Sequence, residues 1–180
     1  MIYGQRIRLR AFEKEDIPRF VAWINDPEVR WGISQYLPFS TVDEEHWFDR
    51  MQELPLYEHP LVIEVHPEGE AEAWIPIGDI GFHKVDWRNR SSEFGIVIGE
   101  KSFWNQGFGT EAVRLLVSHG FQSLNLNRIF LRVFENNQRA IRAYEKAGFS
   151  LEGRMRQAEF QQGQFIDVLI MSILRSEWQE

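Results

Sequence analysis

The 180-residue chain contains no cysteine, which excludes disulfides, thiolate metal sites and a cysteine nucleophile and makes a reducing cytoplasm the expected setting. Long apolar runs are missing as well. Residues 1–6 hold none, and the longest largely apolar stretch, 168–174, falls far short of the ~20 residues that span a bilayer, so no membrane association is expected. Positive charge is scarce: 20 Lys and Arg stand against 27 Asp and Glu, and a net charge of -7 argues against a nucleic-acid partner, which would need a basic face. His46, His59, His66, His83 and His119 show no paired ligand spacing, so no metal site is expected. Ser118-His119 lacks a nucleophile elbow, which disfavours a serine hydrolase. Neither repeats nor a linker interrupts the chain, and its length fits one domain, 1–180, with a core drawn from the 43% of residues that are apolar.

The charge that is present is unevenly placed. Residues 101–160 carry nine Lys or Arg against five Asp or Glu, whereas the remainder carries eleven against twenty-two. A basic segment suits a polyphosphate and an acidic remainder suits a cationic amine, although scattered solvated charge would look the same.

Arg6-Ile7-Arg8-Leu9-Arg10 alternates with period two and reads as an exposed first strand. A helix is expected from about Lys14 to Ile24, stopped by Asn25-Asp26-Pro27, and a second from Ser40 through Met51, opened by a capping box. Residues 61–65 and 73–83 read as strands joined by a turn at 67–70, and a further turn at 86–91 leads into a strand from Glu93 to Gly99, which together make an antiparallel meander. Val113, Leu116, Val117, Gly120 and Phe121 recur at helical spacing, so that face should pack on the sheet. Residues 128–134 are apolar on both sides, as a central strand would be, and a turn at 160–164 precedes a closing strand, 166–174. Exposed edge strands and Trp178 near the terminus favour a homodimer.

Two segments carry the chemistry. In Gln106-Gly107-Phe108-Gly109-Thr110, glycines at the mouth of an amphipathic helix let main-chain N–H groups approach an anion, and the helix adds unpaired N–H groups and a positive dipole end. It is neither a Walker loop nor a dinucleotide fingerprint. Further on, Asn137 occupies a helix N-cap position, Tyr144 lies within the helix, and Gly148 follows it at the C-cap, ahead of Phe149.

With these motifs, residues 93–171 resemble the GNAT superfamily of acetyl-CoA-dependent N-acetyltransferases, and in particular the branch of ribosomal-protein N-terminal and spermidine acetyltransferases. The family's Gln/Arg-x-x-Gly-x-Gly/Ala loop matches Trp104 through Gly109 except at Trp104, where a side-chain phosphate contact is lost. Its Asn-x-x-Ala-x-x-x-Tyr-x-x-x-Gly-Phe matches Asn137 through Phe149 at every named position.

The resemblance implies an α/β (α+β) single-domain fold, with a twisted, mostly antiparallel sheet flanked by helices and two central strands splayed apart. It implies that the main chain of Ile96, Val97 and Ile98 pairs with the pantetheine arm of coenzyme A, that Asn105, Gln106, Gly107, Phe108, Gly109 and Thr110 hold its pyrophosphate, and that Asn137 and Ala140 border the arm. Tyr144 would protonate the departing thiolate, Val97 would polarise the thioester carbonyl, and Glu93 would act as base through water. The acceptor is a primary amine: a protein α-amine ranks slightly above a polyamine or other small amine, with a non-catalytic acyl-CoA-binding module as the rival. Trp31, Tyr36, Phe39, Glu44 and Trp87 are candidates for lining the acceptor pocket, and a hydrophobic flap or subunit contact is the alternative for the aromatics.

Overall fold

Ile7 and Leu9 alternate with arginines and are wholly buried, so the strand that carries them lies inside the sheet. It is β2 (Ile7–Ala11), flanked by the two-residue β1 (Ile2–Tyr3) on one side and by β3 (Leu61–Val65) on the other. The expected exposed first strand is thereby corrected. Arg8 and Arg10 do not face open water: both are held by buried Glu64, at 2.6 and 2.7 Å, and Arg10 also grips Asp16 at 2.6 Å. Charge compensation, which period-two patterning cannot register, let two arginines sit in the sheet.

The computed structural model describes residues 1–66 and 74–179. The expected turn at 67–70 and the expected strand start at Ala73 lie outside them. After β3 come β4 (Ile75–Asp86), β5 (Ser91–Ile98), β6 (Arg128–Phe134), β7 (Ser150–Gln161) and β8 (Gln164–Leu174), in sheet order β1-β2-β3-β4-β5-β6-β8-β7. All pairings are antiparallel except β5 with β6. The helices are α1 (Ile17–Asn25), α2 (Pro27–Arg30), α3 (Thr41–Met51), α4 (Phe108–Gln122) and α5 (Gln138–Lys146). Ser40 and Asp43 form the expected capping box of α3. None of the helices among the described residues is long and apolar enough to cross a membrane.

Helices cover both faces of the sheet. The larger core joins α4 and α5 to Ile80, Phe82, Phe94, Ile129, Leu131 and Val133, and the α4 residues singled out by spacing are all buried there. The smaller core, on the opposite face, joins α1 and α3 to Val62 through Phe12, Ile17, Phe20 and Trp23. Trp178 packs at 5.7 Å from Phe121. β7 had no counterpart in the sequence reading because it is an edge strand exposed on both faces, with no apolar alternation to mark it.

Candidate active site

The parallel pairing of β5 with β6 runs only from Ser91↔Arg128 to Glu93↔Phe130. Beyond that point β5 stays on β4 through Ile98, and β6 stays on β8 through Phe134, so the two strands diverge. From Phe94 onward the β6-facing edge of β5 has no strand partner among the described residues, although it lies inside the protein. Unpaired backbone in such a place either meets water or serves as a template for an extended ligand. A cavity of about 640 Å³ fills the wedge. It is lined from β5 by Ile96, Val97 and Ile98, from the loop and α4 by Asn105, Gly107, Phe108, Gly109 and Thr110, and from α5 by Asn137, Ala140 and Tyr144. Every expected cofactor-binding residue therefore meets in one cavity except Gln106, whose side chain turns back to bond the Ser102 carbonyl at 2.6 Å.

A close approach between backbones shapes the divergence. A Cβ on Gly78 would lie 2.0 Å from the Val97 carbonyl oxygen, so only glycine lets β5 press on β4 at the residue where the thioester is expected. Gly78→Ala should destabilise the protein by about 1–3 kcal/mol, visible in thermal unfolding, and should weaken coenzyme binding because β5 itself must move.

The loop before α4 is built as an anion socket. Asn105 and Gly107 both take left-handed backbone, at φ 61 and 86, and no side chain caps α4, so its first N–H groups stay open. By contrast, α3 and α5 are capped by Ser40 and Asn137. Cations surround the socket. Arg6 bonds the Gln106 carbonyl at 3.3 Å and Glu111 at 2.9 Å, while Arg139, Arg142 and Lys146 line the cavity. Trp104, where the family motif is broken, donates its indole N–H to the Ile98 carbonyl at 2.7 Å and carries the Arg139 guanidinium 3.5 Å from its ring centroid. The tryptophan thus seats an arginine beside the socket.

The second motif follows from helix termination. Asn137 caps α5 by accepting from the Ala140 N–H at 3.2 Å. Gly148, at φ 98, lets its N–H reach the Glu145 carbonyl and the Phe149 N–H reach the Tyr144 carbonyl, both at 3.0 Å, which is the Schellman arrangement. That closure brings the Phe149 ring to Tyr144, and Phe94 packs edge-on to the tyrosine at 6.0 Å. The Tyr144 ring is held on its apolar sides, and its hydroxyl makes no hydrogen bond among the described residues and opens to the cavity. Burial pushes its pKa well above that of ordinary tyrosine, so the phenol keeps its proton.

The cavity passes through the wedge to the α1/α3 face, where its walls change sign. There Asp79, His83, Glu93 and Glu159 line it, together with Gly32 and Ile33 from the loop after α2. Glu93 is held by Arg132 at 2.7 Å. Burial lowers the pKa of His83, which stands opposite Glu93 in the β4–β5 ladder. Asp79 is raised to about 7, by burial first and by Glu44 second. Glu44, buried on α3, is itself raised by burial.

The remaining acceptor candidates are not brought together. Tyr36 is 81% exposed and lies with Phe39 in a separate shallow surface hollow. Trp87 sits at the β4–β5 turn, bonded to Tyr57 at 3.1 Å, and Trp31 offers its carbonyl to Gln161. None of the four lines the main cavity. Sequence reasoning passed over Asp79, although a lone acid inside the apolar run Ile75–Phe82 was a signal. It also passed over His83 and the α5 cations, whose placement depends on strand register and helix phase.

Comparison with known proteins agrees with this geometry. Residues 6–150 match the family model described as an acetyltransferase (GNAT) domain. The chain is 32% identical, over 98% of its length and 97% of the relative's, to the uncharacterized N-acetyltransferase p20 of Bacillus licheniformis. It is 28% identical to the spermidine N(1)-acetyltransferase of Escherichia coli K12, covering 96% of this chain and 88% of that one. The crystal structure of spermidine N-acetyltransferase from Vibrio cholerae in complex with CoA and spermine superposes with a TM-score of 0.86 at 25% identity, covering 97% and 98% of the two chains. A matched domain, a splayed strand pair and an uncapped helix at a glycine loop together establish that this chain belongs to the GNAT family of N-acetyltransferases.

Proposed function

We propose that the protein transfers an acetyl group from acetyl-CoA to a primary amine of a small polycationic acceptor, a polyamine in chemical class, by direct attack in a ternary complex. The observation that carries this reading is the change of sign across the wedge. Arg139, Arg142 and Lys146 line the α5 side, and Asp79, Glu159 and the Glu93–Arg132 pair line the opposite mouth. An anionic coenzyme and a cationic acceptor would thus approach from opposite faces and meet where β5 parts from β6.

The residues fit the coenzyme. The edge at Ile96, Val97 and Ile98, free of a strand partner though the Ile98 carbonyl accepts from Trp104, suits the amides of its arm, and the open N–H groups from Asn105 to Thr110 suit its pyrophosphate. Bound acetyl-CoA supplies an activated acetyl thioester. Tyr144, protonated and fixed by Phe94 and Phe149, gives a proton or a strong hydrogen bond to the sulfur as it leaves. Asn137 spends its side-chain oxygen on capping and keeps its amide group for a ligand. Glu93, expected as the base, is already paired with Arg132, and in this reading the pair borders the acceptor mouth.

A protein α-amine, which sequence reasoning ranked first, becomes the second reading. A peptide amino terminus brings one cation, whereas the mouth presents several carboxylates. The relatives named spermidine acetyltransferases support the same order. Incubation with acetyl-CoA and a panel of polyamines, monoamines, aminoglycosides and basic peptides, with released thiol as the signal, tests it. Polyamines should give the highest kcat/KM, and the rate should fall as salt screens the mouth. Turnover confined to peptide amino termini would overturn the choice of acceptor, and coenzyme binding without thiol release for any amine would favour a non-catalytic module.

A further inference from the structure

We propose that Asp79 is the group that takes the proton from the incoming ammonium. The proposal rests on the acetyl-transfer reading given above. Asp79 stands in the middle of β4, in register between Val62 on β3 and Val97 on β5, so its side chain faces the acceptor half of the cavity beside Val97.

The pairing of other acids in the protein makes Asp79 conspicuous. Glu64 holds two arginines, Asp16 holds Arg10, Glu93 holds Arg132, Glu111 holds Arg6, and Glu152 holds Arg128. Neither Asp79 nor Glu44 has an ion pair among the described residues; Glu44 is only 3% exposed, and the hydrogen bond that favours the charged form of Asp79 comes from its own backbone N–H. Two neighbouring acids left without a cation in a protein that compensates its other buried acids are costly to folding, and such arrangements mark sites where a proton or a cationic ligand completes the charge balance. Burial and Glu44 place Asp79 near neutrality, where a carboxylate is both deprotonated often enough and basic enough to accept a proton.

The other charged groups on this face do not fill the role. Glu93 is engaged by Arg132, and Arg10, two strands away, is engaged by Asp16 and Glu64. Glu159 comes from the far wall, on edge strand β7. His83 is four residues along β4 from Asp79, about 13 Å at strand rise, and so stands away from Val97.

The ammonium loses one proton to the Asp79 carboxylate, the freed nitrogen forms a bond to the acetyl carbon, and the carbon–sulfur bond breaks. The sulfur takes a proton from Tyr144, the second proton lost by nitrogen restores the phenol, and Asp79 returns its own proton to water. Acetyl-amine, free thiol and one proton result.

The test uses the whole protein. For wild type, the kcat/KM of thiol release with a polyamine should rise with pH through a limb near 7. Asp79→Asn should lower kcat about a hundredfold and abolish the limb, with acetyl-CoA affinity by calorimetry unchanged. Glu44→Gln should move the limb to lower pH, since a like charge is removed, and His83→Gln should leave the limb in place. In ligand-free protein, infrared difference spectra should show a protonated carboxyl that ionises as pH passes about 7 and is missing from Asp79→Asn. Normal turnover in Asp79→Asn, or a reduced rate that keeps the wild-type limb, would overturn the proposal while leaving acetyl transfer intact. A wild type that binds acetyl-CoA but acetylates no amine at any pH would remove the transferase reading and this proposal with it.

Discussion

Tyr144→Phe is expected to lower turnover by about a hundredfold or more while acetyl-CoA affinity and thermal stability change little. The ring makes the packing contacts, with Phe94 at 6.0 Å and Phe149 at 6.2 Å, and phenylalanine keeps both. Only the hydroxyl is lost, and among the described residues it has no partner whose removal would leave an orphan. The phenol's raised pKa adds a second expectation: Tyr144 should contribute no ionisation to the pH profile in the range where the enzyme works, so the variant should be slower at every pH with the profile's shape preserved. Steady-state kinetics over a pH series, with coenzyme affinity measured separately, checks both. A variant with wild-type kcat would remove Tyr144 from the chemistry, and one that unfolds readily would show that the hydroxyl is structural.

Asp79→Asn is expected to make the protein more stable at about pH 8, by on the order of 2–4 kcal/mol, and so to separate stability from activity. The sign follows from the direction of the shift. The folded state binds the Asp79 proton more tightly than the unfolded chain does, with a pKa raised from 3.8 to about 7. Below the unfolded value both states are protonated and the residue costs nothing. The cost appears as pH climbs from 3.8 and is complete above about 7, so the gap between wild type and variant should be widest in mild alkali and close in acid. Glu44, also raised by burial, should add a smaller cost of the same sign. Urea unfolding of both proteins across pH measures it. A variant less stable than wild type in alkali would mean that Asp79 has a stabilising partner as a carboxylate.

The parts of the site made by local chain chemistry could be read from residues alone. The glycine loop, the Asn137 cap and the Gly148-Phe149 closure each follow from backbone rules that operate within a few residues, and the cavity gathers most of what they named. What escaped depended on register across strands. Asp79 acquires its role because β4 sets it beside Val97 and the charge of Glu44 on α3 reaches it, and the sequence spaces those three residues 35 and 18 positions apart. The arginines of β2 looked solvent-facing for a similar reason, since Glu64 lies more than 50 residues downstream. Aromatic clustering between Trp31 and Phe39 suggested a pocket, yet that segment forms its own surface hollow, because loop aromatics pack with local neighbours as readily as they line a distant cleft.

A structure of the protein with coenzyme A bound bears most directly on the central claim. The arm should lie along Ile96, Val97 and Ile98 as an added strand, the pyrophosphate should rest on the N–H groups of residues 105–110, and the sulfur should come within hydrogen-bond reach of the Tyr144 hydroxyl. A coenzyme seated elsewhere, or β5 paired with β6 beyond Glu93 so that the wedge is filled, would contradict the account.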